Sequence, residues 1–201
     1  TEVRAKMYRD SSLVLVENEY VLNTAESETS PIIFQDQVFF ASTRRNLSGN
    51  SANDHYNIFS STYSETGQLG KLSIFNKTLN SPLSESSVAF DKKAANLYLT
   101  RVMPSGTGLK TWVVPIPARV NDKPETKEFI IDGLNKVGHI AFNDSYSRMY
   151  FVADLPGGLG ALDIYSSELV GNQWTKPVNL GKGINTAQDE TYPFLLNDTL
   201  L

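Results

Sequence analysis

One seven-residue string recurs along this chain, and its spacing limits the fold more than any other feature. Leu22-Asn23-Thr24-Ala25-Glu26-Ser27-Glu28 returns 162 residues later as Ile184-Asn185-Thr186-Ala187-Gln188-Asp189-Glu190. The match runs on, Thr29-Ser30-Pro31-Ile32-Ile33-Phe34 against Thr191-Tyr192-Pro193-Phe194-Leu195-Leu196. Three units of 54 residues fill that interval, and partial copies stand inside it. Val88-Ala89-Phe90 and Ile140-Ala141-Phe142 lie 52 residues apart. Asn57-Ile58-Phe59 and Asp163-Ile164-Tyr165 lie 106 apart, with Thr111-Trp112-Val113 between them. Repeats at such a period mean that one supersecondary unit is used several times over.

The unit is best read between 137 and 190. Apolar runs at 138–142, 150–153, 162–169 and 174–180 are separated by glycine and polar turns. Pro156-Gly157-Gly158 must turn, and Gly171-Asn172 reads as a tight hairpin. Four short antiparallel strands per unit at this period predict an all-β fold, a β-propeller of four-stranded blades of about 53 residues. No stretch carries the i, i+3, i+4 apolar spacing of a helical solenoid. A β-sandwich would space its strands similarly but would not repeat its motifs.

In chain order, residues 1–21 are expected to end a preceding blade. Complete blades are expected at 28–76, 85–131 and 137–180, and a further blade starts at 190–201. Expected strands are 31–34, 38–42, 56–63 and 69–75 in the first blade, and 88–90, 97–101, 111–116 and 128–131 in the second. Pro115 and Pro117 should make the rim of the second blade irregular. An open ring exposes sheet edges and apolar blade faces. The ring is therefore expected to be incomplete here, with the remaining blades supplied by chain beyond Leu201 or by a second polypeptide.

Net charge is −4, and the basic residues come at most in pairs, Arg44-Arg45 and Lys92-Lys93. That argues against a nucleic-acid partner, which requires a basic face. No run approaches the ~18–20 apolar residues that cross a bilayer, so no direct membrane insertion is expected. With no Cys there are no disulfides or thiolate metal sites.

Several residues invite chemistry. Asp163, with Asn57 and Thr111 at the matching places, could be a Ca²⁺ or catalytic carboxylate. Its exchange with Asn and Thr by period favours a structural role, bonding backbone N–H groups of the loop before it. Glu28, Asp189 and Glu190 lead into innermost strands and mark a channel mouth, where paired carboxylates can bind metal or move protons. A solvated start of a strand, with Asp189 capping a turn, is the plainer reading. Gly157-Gly158-Leu159-Gly160 precedes no helix, so a phosphate cradle has no basis, and loop flexibility is the expectation. His55 and His139 have no second ligand nearby, and no zinc site is expected. Trp112, Trp174, Tyr8, Tyr165 and Phe59 are expected to fill the space between blades. Neither a Gly-x-Ser-x-Gly elbow nor a sialidase box is present.

The string Tyr150 to Tyr165, followed by Trp174-Thr175-Lys176-Pro177-Val178-Asn179-Leu180-Gly181 and Ile184 to Glu190, resembles the WD40-like PD40 (TolB-type) propeller repeats. It is similar to those of Bacteroidetes outer-membrane-associated proteins with a C-terminal OmpA-like domain. The likeness is dense over the third blade and the start of the next. It is partial in the first and weak in the second, where Thr111 replaces the usual Asp and the glycine loop is shorter. The resemblance implies a periplasmic, non-enzymatic scaffold at the outer membrane, with protein partners and no cofactor, serving secretion or envelope anchoring. Peptidoglycan binding belongs to a domain absent from these residues. Partner contacts are expected on loops 44–55, 104–109 and 154–161, at Arg44, Arg45, Asn53, Asp54, Leu109, Asp154, Leu155 and Leu159. The rival expectation is a carbohydrate- or peptide-processing propeller, which would need carboxylates converging in the channel at ~5–9.5 Å. The innermost runs are mostly apolar, which favours the scaffold.

Overall fold

Blades form because each third of the chain offers strands of alternating side chains joined by short turns. The computed structural model describes residues 18–44, 55–104, 108–116, 121–196 and 198–200. The first blade is the antiparallel meander β1 (Glu28–Phe34), β2 (Gln37–Ser42), β3 (Asn57–Thr62) and β4 (Ser73–Ile74). The second is β5 (Ser84–Asp91), β6 (Asn96–Val102), β7 (Leu109–Pro115) and β8 (Lys127–Glu128). The third is β9 (Val137–Phe142), β10 (Arg148–Ala153) and β11 (Asp163–Val170), with an outer position shared by β12 (Gln173–Trp174) and β13 (Val178–Asn179). A hairpin of β14 (Leu195–Leu196) and β15 (Thr199–Leu200) begins the next unit.

This is the propeller architecture. The innermost strands β1, β5 and β9 pack beside one another. Gly171, with φ +62°, takes the first central place of the two-residue loop joining β11 to β12, the place that demands glycine in a type II′ turn. Two expectations on strand length need correction. Innermost strands start earlier than the apolar runs, because Glu28 and Thr29, and Ser84, Glu85 and Ser87, already pair with the second strands. Outer strands are two residues long rather than four to seven. In the third blade Pro177, lacking an N–H, separates β12 from β13. Short outer strands also blunt the rim against edge-to-edge pairing.

Stability lies between blades. In β6 the side chains alternate: Leu97 and Leu99 face the first blade, and Tyr98 faces the third. The first joint packs Phe34, Phe39, Ala41 and Ile58 against Val88, Phe90, Leu97, Leu99 and Val114. Phe34 and Phe90 stack at 4.1 Å, and Phe39 tilts onto Phe90 at 4.8 Å. The second joint packs Ala89, Tyr98, Phe129 and Ile131 against Val137, Ile140, Met149, Phe151 and Tyr165. Each of the larger side chains among them contributes about 1.5–3 kcal/mol by leaving water. Trp112 packs on the first joint, and Trp174 and Tyr165 on the second. Phe59 instead stacks with Phe40, next to β2 in the same blade, and Tyr8 lies outside the described residues.

Phe90 touches two rings at the first joint, so Phe90→Ala is expected to cost about 3–5 kcal/mol. Urea unfolding of the two proteins checks this, with the midpoint dropping and the slope unchanged.

Candidate functional site

The ends of β2 and the starts of β1 lie together, because Glu28 pairs with Ser42. Ser84 likewise pairs with Val102, and Val137 with Ala153. The β2–β3, β6–β7 and β10–β11 loops therefore share one face of the disc with the linkers that enter each innermost strand. This face is the candidate site.

Each linker folds back onto a carboxylate. The Thr24 N–H and hydroxyl donate to Glu28 at 3.1 and 2.9 Å. Ser81 does the same to Glu85 at 3.1 and 2.5 Å, and Thr186 to Glu190 at 2.9 and 2.6 Å. Two of these carboxylates also hold an arginine from the end of the second strand, sixteen residues on. Arg44 pairs with Glu28 at 2.9 Å and donates to the Leu22 carbonyl. Arg101 pairs with Glu85 at 2.9 Å and donates to the Leu79 carbonyl at 2.8 Å. Both guanidinium groups lie over aromatic rings, Arg44 over Phe40 and Phe59, and Arg101 over Trp112 at 4.7 Å. At the third linker Val137 and Ala153 stand where the others have Glu and Arg, and both are buried.

The two ion pairs differ electrically. Burial raises the Glu28 carboxyl, but the Thr24 N–H, Ser42, the Thr24 hydroxyl and Arg44 outweigh it and hold it below the usual range. Glu85 is fully buried, and burial wins over Ser81 and Arg101, so its carboxyl is pushed up. All its donors meet one oxygen, and Oε2 has no partner.

A second set of contacts fixes the glycine loop of the third blade. Asp163 accepts from the N–H groups of Leu159 and Gly160 at 2.6 and 2.9 Å and from the Asn179 amide at 2.8 Å. Burial alone would raise its carboxyl, and these donors hold it below the usual range. With its oxygens so engaged, Asp163 braces the loop. Asp189 Oδ1 accepts the Leu162 N–H at 3.1 Å, and the Glu190 N–H donates to the Leu162 carbonyl at 2.8 Å. A Cβ on Gly160 would stand 1.9 Å from the Gln188 carbonyl oxygen, so only glycine lets the loop lie on the linker. The expectation of a flexible loop is therefore corrected: the loop is strapped down. Asn185 pairs with both backbone groups of Ile164, at 2.9 Å each, and Asn80 with those of Ile58, tying each linker to the third strand it has just left.

The axis carries a polar cluster. Ser30, His139 and Tyr192 have left-handed backbone, with φ of +52°, +48° and +55°. Ser30 and His139 fall where β1 and β9 bulge. His139 is buried, stacks on Tyr192 at 3.9 Å and approaches the Ser86 hydroxyl with Nε2 at 3.2 Å. Its Nδ1 has no partner, and burial lowers its pKa to about 4. Partial burial also raises the Tyr192 phenol, with some relief from Thr29.

The remaining sequence-flagged residues scatter. Asn57 and Thr111 are buried, and Thr111 sits inside β7, donating to the Val137 carbonyl at 2.9 Å rather than accepting from the loop before the strand. Two proposed contact residues need correction. Arg44 is buried by its ion pair, and Leu109 is buried against Val152 and Ile164. Leu155 is half-buried against the second joint, while Asp154 and Leu159 are exposed. Arg45, Asn53 and Asp54 lie outside the described residues. Among the described residues no three His, Cys, Asp or Glu gather to hold a metal, and no helix is long and apolar enough to cross a membrane. Sequence reasoning missed Glu85 and Arg101. The signal was the unread copy Leu79-Asn80-Ser81, six to four residues before Glu85.

No family model matches the sequence, and no curated protein matches it. Among solved structures, TolB from Acinetobacter baumannii superposes with a TM-score of 0.51 at 12% identity, over 89% of this chain and 37% of that one. An acylaminoacyl peptidase from Pyrococcus horikoshii matches at 0.39 and 12% identity, over 77% of this chain and 25% of that one. A puromycin-hydrolyzing peptidase of Mycobacterium tuberculosis matches at 0.42 and 9% identity, over 77% and 31%. The chain thus spans little more than a third of the TolB it matches, and the likeness is one of fold: a TolB-like β-propeller.

The Val137/Ala153 joint is an internal control for the ion pairs. Glu85→Val or Arg101→Ala alone is expected to cost about 3–5 kcal/mol, and the double variant to lie within about 1–2 kcal/mol of the parent, by denaturant unfolding. His139 sets an acid limb. Its folded pKa of about 4 lies below the ordinary 6.5, so its contribution is full above 6.5 and is lost as pH falls toward 4. Stability should drop by about 3 kcal/mol over that window, and His139→Asn, which tolerates left-handed backbone, should remove this drop.

Proposed function

We propose that this chain is a non-enzymatic protein-interaction scaffold of the bacterial periplasm, a propeller module of an outer-membrane-associated protein of the OmpA family. The observation that carries the reading is the single face on which the inter-strand loops and the channel mouth meet. Its carboxylates are largely committed to holding backbone: Glu28 and Glu85 to arginines and linkers, Asp163 and Asp189 to the glycine loop. A rigid face with exposed Asp154 and Leu159 suits docking of another protein. The TolB-like fold supports the reading at the level of architecture. The finer assignment rests on the resemblance to the repeats of Bacteroidetes envelope proteins. The type IX secretion component PorE, whose propeller lies between tetratricopeptide repeats and a small β-sandwich domain and which carries a C-terminal OmpA-like domain, has the layout that fits, and secretion or envelope anchoring is the role proposed. The processing-enzyme alternative lacks support, because the ion-paired Glu28 and Glu85 are poor candidates for the two free carboxylates such chemistry needs.

A photo-crosslinking side chain placed at Leu159, in cells, should capture a discrete envelope protein. The same group at Lys93, on the β5–β6 turn at the opposite face, should not. Equal capture at both positions, or none at Leu159, would remove the docking face.

A further inference from the structure

The fourth linker repeats the carboxylate geometry of the first two, while the place sixteen residues on, where they carry arginine, falls outside the 201 residues of this sequence. Thr186 donates to both oxygens of Glu190, as Thr24 does to Glu28. Among the described residues no lysine or arginine pairs with Glu190. Beside it opens a cleft of about 440 Å³ lined by Ile164, Gly183, Ile184, Asp189, Glu190 and Leu200, among others. Ile184 and Glu190 are the counterparts of Leu22 and Glu28, and of Leu79 and Glu85, the two acceptors that each bound arginine uses elsewhere.

We infer that this cleft is a guanidinium-binding site. It takes the planar head of an arginine side chain, with the Glu190 carboxylate accepting one N–H and the Ile184 carbonyl another. The inference is carried by the two occupied copies in the same molecule and stands independently of the scaffold reading. Arginine is selected over lysine because the two acceptors belong to different groups on the linker. In the second blade Nε of Arg101 meets Glu85 while Nη2 meets the Leu79 carbonyl. One rigid fork spans both acceptors, whereas a single ammonium satisfies them poorly. The carboxylate is already oriented by Thr186, so little ordering is lost on binding. Asp189 adds a second negative charge at the cleft, even with one oxygen on the Leu162 N–H. The arginine arrives on a segment of this protein or on a partner; the chemistry is shared.

The test is an NMR titration of the ¹⁵N-labelled protein with N-acetyl-arginine methylamide at millimolar concentration, and with its lysine counterpart. If a partner supplies the arginine, the Thr186 and Glu190 amide signals should move saturably with the arginine probe. The lysine probe should bind about tenfold more weakly. Glu190→Gln should abolish the response, and Glu26→Gln, at an exposed residue outside the cleft, should leave it. If the protein's own arginine fills the cleft, a protected arginine Nε–H signal should vanish in Glu190→Gln and survive in Glu26→Gln. Equal shifts from both probes would overturn the site. So would shifts that survive Glu190→Gln, or the absence of both a saturable response and a Glu190-dependent arginine signal.

Discussion

A short linker must carry the chain from the rim of one blade to the axis of the next, and its polar backbone would be exposed or unpaired along the way. The carboxylate at its end resolves that constraint. Glu28, Glu85 and Glu190 each accept from the residue four positions earlier, so the linker closes on itself before the innermost strand begins. Asn80 and Asn185 meanwhile act as a single rung of ladder against the third strand just completed. Both devices satisfy backbone groups that no sheet reaches. The apolar joints can then form on a frame whose position is already set.

The period, the blade limits and the all-β class were legible because they follow from alternation and from turn residues, which are local. Outer strands were overread. Residues 69–75 and 174–180 are apolar enough to extend, but Gly70 stands against the Thr62 side chain and Pro177 interrupts the ladder. The glycine loop was misread because its rigidity depends on Asp163 and on the Gln188 carbonyl, contacts 3 to 28 residues away that composition does not reveal. The arginine partners were hidden by distance as well. Arg44 looked like half of a solvated basic pair until its position sixteen residues after Glu28 placed it under the linker. The second copy of the linker was obscured by Pro82 and Leu83, where the other copies have Ala and Glu or Gln. The third, Ile131-Asp132-Gly133, had lost its hydroxyl and its carboxylate together.

For the function proposed here, what counts is how the described carboxylates at the channel mouth are occupied. Carboxylates at a channel mouth invite thoughts of hydrolysis, yet most of those present already hold N–H groups or guanidinium. Among the described residues, what stays open on this face includes exposed side chains around the strapped glycine loop and a linker carboxylate, Glu190, that no lysine or arginine meets. Such a surface is what the docking reading proposed above calls for.

The replacement of Glu and Arg by Val137 and Ala153 has a further consequence. The disc has seams of two materials. Chilling weakens the apolar part of every seam. Acid acts at two places: it charges His139, buried neutral between the second and third blades, and it protonates Glu28, whose carboxyl is held ionised by the fold. The seam that lacks an ion pair at its mouth thus keeps an acid-sensitive group of its own, on the axis rather than at the linker.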